Sequence, residues 1–330
     1  MNRRFLFSLI ALAVCSIVGP SGACADERRD SRQMMQLLRP VAETVADSMA
    51  QVICGNSPVA LAVAVDSDGL LITKRSELTS DPIQVRLSDN RLYPARVAAT
   101  SRPNDLAILK LDASVRLTPV RFQNTVPAIA SFLVTPGRTG RAIGVGVLSA
   151  NQRRIEAAGR LGVNFSNVAE ARAMVSRVVS GSGAERAGIE EGDIILRVNG
   201  VEQPDEQRVR AALKQLYPGE EVRLTVLRGA DNGGARPFEV SAQISELDSL
   251  GESKNDSLVN GPRNIRVTGF DVVLQHDTVL DPDECGGPIL DSAGRVVGLN
   301  IARAGRVVTY ALPASLINSE LPNLIARARR

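Results

Sequence analysis

The 330-residue sequence has no tryptophan, three tyrosines, seven phenylalanines and a single histidine. With so few aromatics, aliphatic side chains must fill its cores. One imidazole, His276, cannot build a His-based metal site, and no CxxC spacing or carboxylate cluster replaces it. No metal and no cofactor is expected. Cysteine is also sparse: Cys15 and Cys24 fall in the first 25 residues, leaving Cys54 and Cys285. Two distant cysteines make no disulfide framework, so both read as free thiols, Cys54 as a small core residue. Neither sign of charge dominates. The net charge is +3, and Arg3 and Arg4 account for two of those charges. So small a surplus gives no electrostatic footprint for nucleic acid. The terminal Arg327–Arg330 reads as a solvated tail. Beyond Phe5–Val18 there is no long apolar run, so no membrane span is expected in a mature chain.

What is present begins with a leader. Arg3 and Arg4 precede the apolar run, and Ala23-Cys24-Ala25 offers a small-residue cleavage site. Residues 1–25 are therefore expected to be a signal peptide, and the protein to be exported to the periplasm or cell envelope. An N-terminus kept as an anchor is the alternative, and a lipoprotein reading at Cys24 or Cys15 is weaker. Residues 30–51 carry apolar side chains at helical spacing around Pro40, which predicts a short lead-in helix. Then β-rich segments alternate with turns: 59–65, 70–73, 83–87, 92–99 and 106–111. That spacing predicts a barrel or sandwich. Residues 204–217 form an amphipathic helix with Val209, Ala212, Leu213 and Leu216 on one face. Residues 247–263 have the polar, glycine-containing composition of a flexible linker.

The motif that carries most chemistry is LDPDECGGPIL, residues 280–290. A nucleophile followed by two glycines suits a tight turn that aims its own amide at a developing oxyanion. The stretch resembles the GNSGGPL motif of the HtrA/DegP family of serine proteases, with Asp283, Glu284 and Cys285 in place of Gly, Asn and Ser. DGLLITKRSEL and NDLAILKLD resemble the first barrel of that family. The resemblance places Asp105 at the catalytic aspartate and Ser76 at the catalytic histidine. LGVNFSNVAEARAMVSRVVSGSGAERAGIEEGDIILRVNG, residues 161–200, resembles a bacterial PDZ domain. The fold so implied is mostly β: a trypsin-like double β-barrel with an inserted PDZ domain. Residues 26–150 would hold the first barrel and the start of the second, 155–246 the PDZ domain, and 264–330 the rest of the second barrel.

At such a site Ser76 cannot act as a base near neutral pH, and loss of the histidine of a serine protease costs about a million-fold in turnover. A thiol at Cys285 is more nucleophilic than a hydroxyl, yet without a proton donor it expels an amine poorly. Asp283 adds a Cβ and negative charge at an expected oxyanion donor, where Cys285 supplies the other. His276 is expected as a partly exposed wall of the specificity pocket. Asp105, deprived of histidine, needs new donors, expected from the Ser76 hydroxyl and local amides. The PDZ segment keeps its apparatus: Arg160, Leu161, Gly162 and Val163 as the carboxylate nest, and Phe165, Val209, Leu213 and Leu216 along the groove. The expectation is a catalytically inactive homologue that binds C-terminal or unfolded peptide segments as scaffold, adaptor or holdase. The alternative is an active endopeptidase with Cys285 as nucleophile. The resemblance also implies a homotrimer, or pairing with an active protease paralogue.

Overall fold

The computed structural model describes residues 31–157, 159–166, 172–229, 235–246, 250 and 258–330. The leader and most of the expected linker lie outside them. Two short helices open the described chain, α1 (Arg32–Leu37) and α2 (Arg39–Glu43). Pro40 sits in the first turn of α2, where its missing N–H costs nothing, so the lead-in is broken there. The helical spacing was expected to reach Gln51. Instead β1 (Met49–Cys54) begins within it, because Val52, Ile53 and Cys54 are committed to a strand whose side chains are buried on both faces.

The first barrel closes in the order β1-β2-β3-β6-β5-β4, where β2 is Ser57–Ala64, β3 Leu70–Lys74, β4 Ile83–Arg86, β5 Leu92–Ser101 and β6 Leu106–Leu111. Every pairing is antiparallel and joins strands less than 60 residues apart. Small and branched aliphatics fill it, among them Ala60, Ala62, Val52, Val85 and Leu109, together with Cys54. The second barrel is built from two distant pieces. It comprises β7 (Phe132–Pro136), β8 (Ala142–Ile155), β17 (Phe270–His276), β18 (Pro288–Asp291), β19 (Val296–Gly305) and β20 (Val308–Pro313). It too is closed, in the order β17-β20-β19-β18-β7-β8.

Between β8 and β17 lies the insertion. It contains β9 (Gly159–Arg160), β10 (Val163–Phe165), β11 (Val175–Val178), α3 (Gly183–Arg186), β12 (Ile194–Val198), β13 (Val201–Glu202), α4 (Glu206–Lys214), β14 (Glu221–Arg228), β15 (Arg236–Gln243) and β16 (Ser245–Glu246). It has its own core around Leu161, Val175, Ile195, Val209 and Leu224. Asp205 caps α4 by accepting from the Arg208 amide, which starts the helix two residues later than the apolar spacing suggests. The chain ends in α5 (Ala314–Ala328), whose Ile317, Leu324 and Ala328 are buried against the barrels. Arg327 lies in the last turn of this helix and Arg329 caps it, their exposed side chains reaching the Thr100 carbonyl and Asp66. The terminal arginines are solvent-exposed, as expected, but follow from a packed helix and not from a loose tail.

Candidate functional site

Strand β3 ends in Lys74, and the turn after it carries Ser76 and Glu77. Asp105 precedes β6 with φ +54, a left-handed backbone that Asp tolerates better than most residues. Its carboxyl accepts from the Ser76 amide (3.0 Å) and hydroxyl (2.8 Å), and no part of it is exposed. Burial pushes the Asp105 carboxyl up, opposed by the charges of Lys74 and Arg266 and by the Ser76 hydroxyl. Ser76 and Asp105 are therefore brought together, and the serine fills a hydrogen-bonding place without supplying a base.

The other half of the cleft is the turn before β18. Asp281 accepts from the Glu284 amide while the Glu284 carboxylate accepts from the Asp281 amide at 2.8 Å, a capping box on the 3-10 turn Pro282–Glu284. Asp283 was expected to be forced into a conformation that its Cβ resists. It is absent from the left-handed residues, because the turn winds tightly instead. The consequence falls on Cys285, whose amide donates to the Pro282 carbonyl at 3.3 Å. That amide is one of the two expected oxyanion donors, and it is already engaged. Gly286 follows at φ +98, where a Cβ would meet the Leu61 carbonyl, so only glycine fits. Cys285 has no exposed surface. Burial raises its thiol from near 9 to about 12, although Lys74 and the Arg303 amide act in the opposite direction. Asp283 and Glu284 are both raised too, first by burial and then by their acidic neighbours.

Several residues around this cleft escaped the sequence reading. The buried Lys74 ammonium contacts Glu77 at 3.0 Å. Burial raises Glu77, but Lys74, the Asn264 amide group and the Ile265 N–H outweigh it and hold the carboxyl low. Glu220, from the turn between α4 and β14, reaches Arg75 at 3.0 Å and Arg102 at 2.6 Å, tying the insertion to the first barrel. Arg75 also lies 3.7 Å from Asp105. Arg266 is fully buried, donating to the carbonyls of Arg102, Pro103, Thr268 and Gly269 and lying over the Tyr217 and Phe270 rings. A lysine ending the apolar run Leu70–Thr73 was the one signal that could have betrayed this network. His276 is not partly exposed as expected. It is fully buried, with its ring nitrogens 2.8 Å from the Thr278 hydroxyl and 2.9 Å from the Asn300 side-chain oxygen. Its position on β17 inside the closed barrel removes it from solvent. No cluster of potential metal ligands occurs among the described residues.

In the insertion, Gly162 adopts φ +89, and the Leu161 and Gly162 carbonyls accept from the Ala184 and Val179 amides, fixing the loop before β10. Strand β10 pairs with β11 in a two-stranded sheet. Across from it stands α4, whose Glu206, Arg210 and Leu213 share a face at i, i+4 and i+7. Arg210 lies 5.0 Å over the Phe165 ring and 2.5 Å from Glu206. Val209 is fully buried and Leu216 nearly so, so they support the groove from within and do not line it. Arg160 lies at its end, its guanidinium on the Gly159 carbonyl.

Residues 159–236 match the PDZ domain family. The chain is also similar to a probable periplasmic serine protease do/HhoA-like of Haemophilus influenzae, 32% identical over 111 residues. The chain is HtrA-like and carries a PDZ domain. The similar stretch covers 32% of this chain and 24% of that relative, so the HtrA-like protein spans a minor part of its relative's length. No helix among the described residues is long and apolar enough to cross a membrane.

Proposed function

We propose that this HtrA-like protein is an exported, non-catalytic member of its kind that binds polypeptide C-termini or unfolded segments in its PDZ groove. Its role would be that of a scaffold, adaptor or holdase in protein quality control of the periplasm or cell envelope. The observation that carries the reading is the bond from the Cys285 amide to the Pro282 carbonyl above a thiol with no exposed surface. Acyl transfer needs that amide free to stabilise an oxyanion, and it needs a base within reach of the nucleophile. Ser76 is no base, and the Lys74 ammonium is engaged by Glu77.

Peptide capture is supported by β10, whose sheet among the described residues holds β11 alone beside it, and by the left-handed Gly162 at its entrance. Extended peptides add to such an edge through main-chain hydrogen bonds, and their carboxylate sits in the backbone nest. The test is hydrolysis of casein and of short peptides by the wild type, Cys285→Ala and Ser76→His, alongside binding of an apolar C-terminal peptide. No cleavage by any of the three, with binding retained, is the expected result. Cleavage by the wild type that Cys285→Ala abolishes would make the protein an endopeptidase. Sedimentation and co-purification then decide between a trimer and assembly with an active paralogue.

A further inference from the structure

The cleft between the two barrels is filled by the protein itself. We propose that Arg263–Val267, the segment returning from the PDZ domain towards β17, is the resident occupant of a strand-binding site in that cleft, held in cis.

The site is an edge of β19. Strand β18 pairs with β19 from Val296 to Leu299, and the next contacts on that side are the Gly286–Asn300 and Asn300–Gly287 main-chain bonds. Beyond Asn300 that side of β19 has no partner from β18. Asn264 takes the place: its N–H donates to the Arg303 carbonyl at 3.2 Å, and its side-chain oxygen accepts from the Arg303 N–H at 2.7 Å. An added strand is held by reciprocal main-chain bonds, and Asn264 reproduces the pair with its own N–H and its side-chain oxygen.

The same asparagine spans the cleft. Its side-chain nitrogen donates to the Pro282 carbonyl (3.0 Å) on the Cys285 turn and to Glu77 (2.8 Å) on the first barrel. Ile265 then donates its N–H to Glu77 at 3.0 Å. Its side chain packs where a Cβ on Gly219 would sit, 3.8 Å from the Ser76 Cβ. Arg266 pins the first barrel through the carbonyls of Arg102 and Pro103. The segment thus touches the turn of Cys285, the turn of Ser76, and both barrels. Asn264 also competes for the Arg303 amide that lies beside the Cys285 thiol.

Val267 anchors the end of the segment in the core. The residues before it are held by an amide side chain, main-chain groups and a guanidinium. Such polar contacts form a local unit that can open without unfolding either barrel. The inference does not depend on peptide binding by the PDZ groove, because the same strap would also latch a working protease.

The experiment follows the two thiols by mass spectrometry during alkylation with iodoacetamide at neutral pH. Cys54, buried in the first barrel, reports global opening. In the wild type both should react slowly. Asn264→Ala, and separately Ile265→Pro, should raise the rate at Cys285 by about ten-fold or more while leaving Cys54 unchanged. Equal acceleration of both thiols, or of neither, would overturn the proposal. Should both variants fail to fold, hydrogen exchange on the wild type decides. The Arg303 and Ile265 amides should exchange well before the Leu109 amide of the barrel, and exchange only together with Leu109 would overturn it.

Discussion

The inter-barrel cleft and the PDZ groove are both places where a β-strand edge can receive a polypeptide, and they have opposite fates. In the cleft the chain supplies neighbours to the central polar groups: Asp105 has Ser76, Glu77 has Lys74 and Asn264, and the Cys285 amide has Pro282. In the groove, Arg210 stacks over Phe165 from an exposed helix face, and among the described residues β10 has a strand of its sheet on one side. A polar site bonded largely to its own chain resists opening, whereas the groove is crossed by one exposed guanidinium, that of Arg210.

The largest effect should come from breaking the closed side. Arg266→Ala removes a buried guanidinium and leaves four carbonyls without their donor, which should cost about 3–5 kcal/mol in a denaturant titration. Gly162→Val attacks the open side. It places a β-branched side chain at φ +89 against Ser182, and should weaken binding of a C-terminal peptide by at least about ten-fold in a calorimetric titration. Binding that survives this change would remove the contrast between the two sites.

Glu220→Gln tests the joint between them. It loosens Arg75 and Arg102, with an expected loss of about 1–3 kcal/mol. Burial raises the Glu220 carboxyl, but Arg102, the Tyr217 amide and Arg75 together hold it below its ordinary value. A group lowered on folding stabilises above its unfolded value and loses that contribution as pH falls through the folded one. The joint should therefore weaken below about pH 4 in the wild type, and the Gln variant should lack that step. The smallest effect is expected of Ser76→Ala, about 1 kcal/mol, from loss of the single hydroxyl bond to Asp105. A much larger loss would mean that Ser76 holds the cleft together.

The strands of the first barrel were legible because β-branched runs between turns encode them directly, and β6 matches its predicted bounds, Leu106–Leu111. The pairing of Ser76 with Asp105 was also legible, since a buried carboxylate requires a donor and few stood near. The conformation of the Asp281–Cys285 turn was not. It depends on a capping box that only forms once the loop has chosen between an extended and a wound path. The roles of Asn264, Arg266 and Glu220 were hidden for another reason: their side-chain partners across the cleft lie up to 187 residues away, and others are main-chain carbonyls, which no side-chain spacing reports. Burial of His276 likewise depends on barrel closure between β17 and β8, strands more than a hundred residues apart.

That separation shapes how the molecule is made. The first barrel draws all six strands from residues 49–111 and can close as soon as they have emerged. The second offers β7 and β8 early, then must wait through the whole PDZ domain for the four strands that seal it. During synthesis its long β8 is an unpaired edge on one side, and the ends of the insertion meet only when Phe270 reaches Ile155. Pairings of such high sequence separation form late. The PDZ domain, with its own core, is therefore the part able to fold in the interval, and its completion brings the last fifth of the chain back to the strand that has been waiting for it.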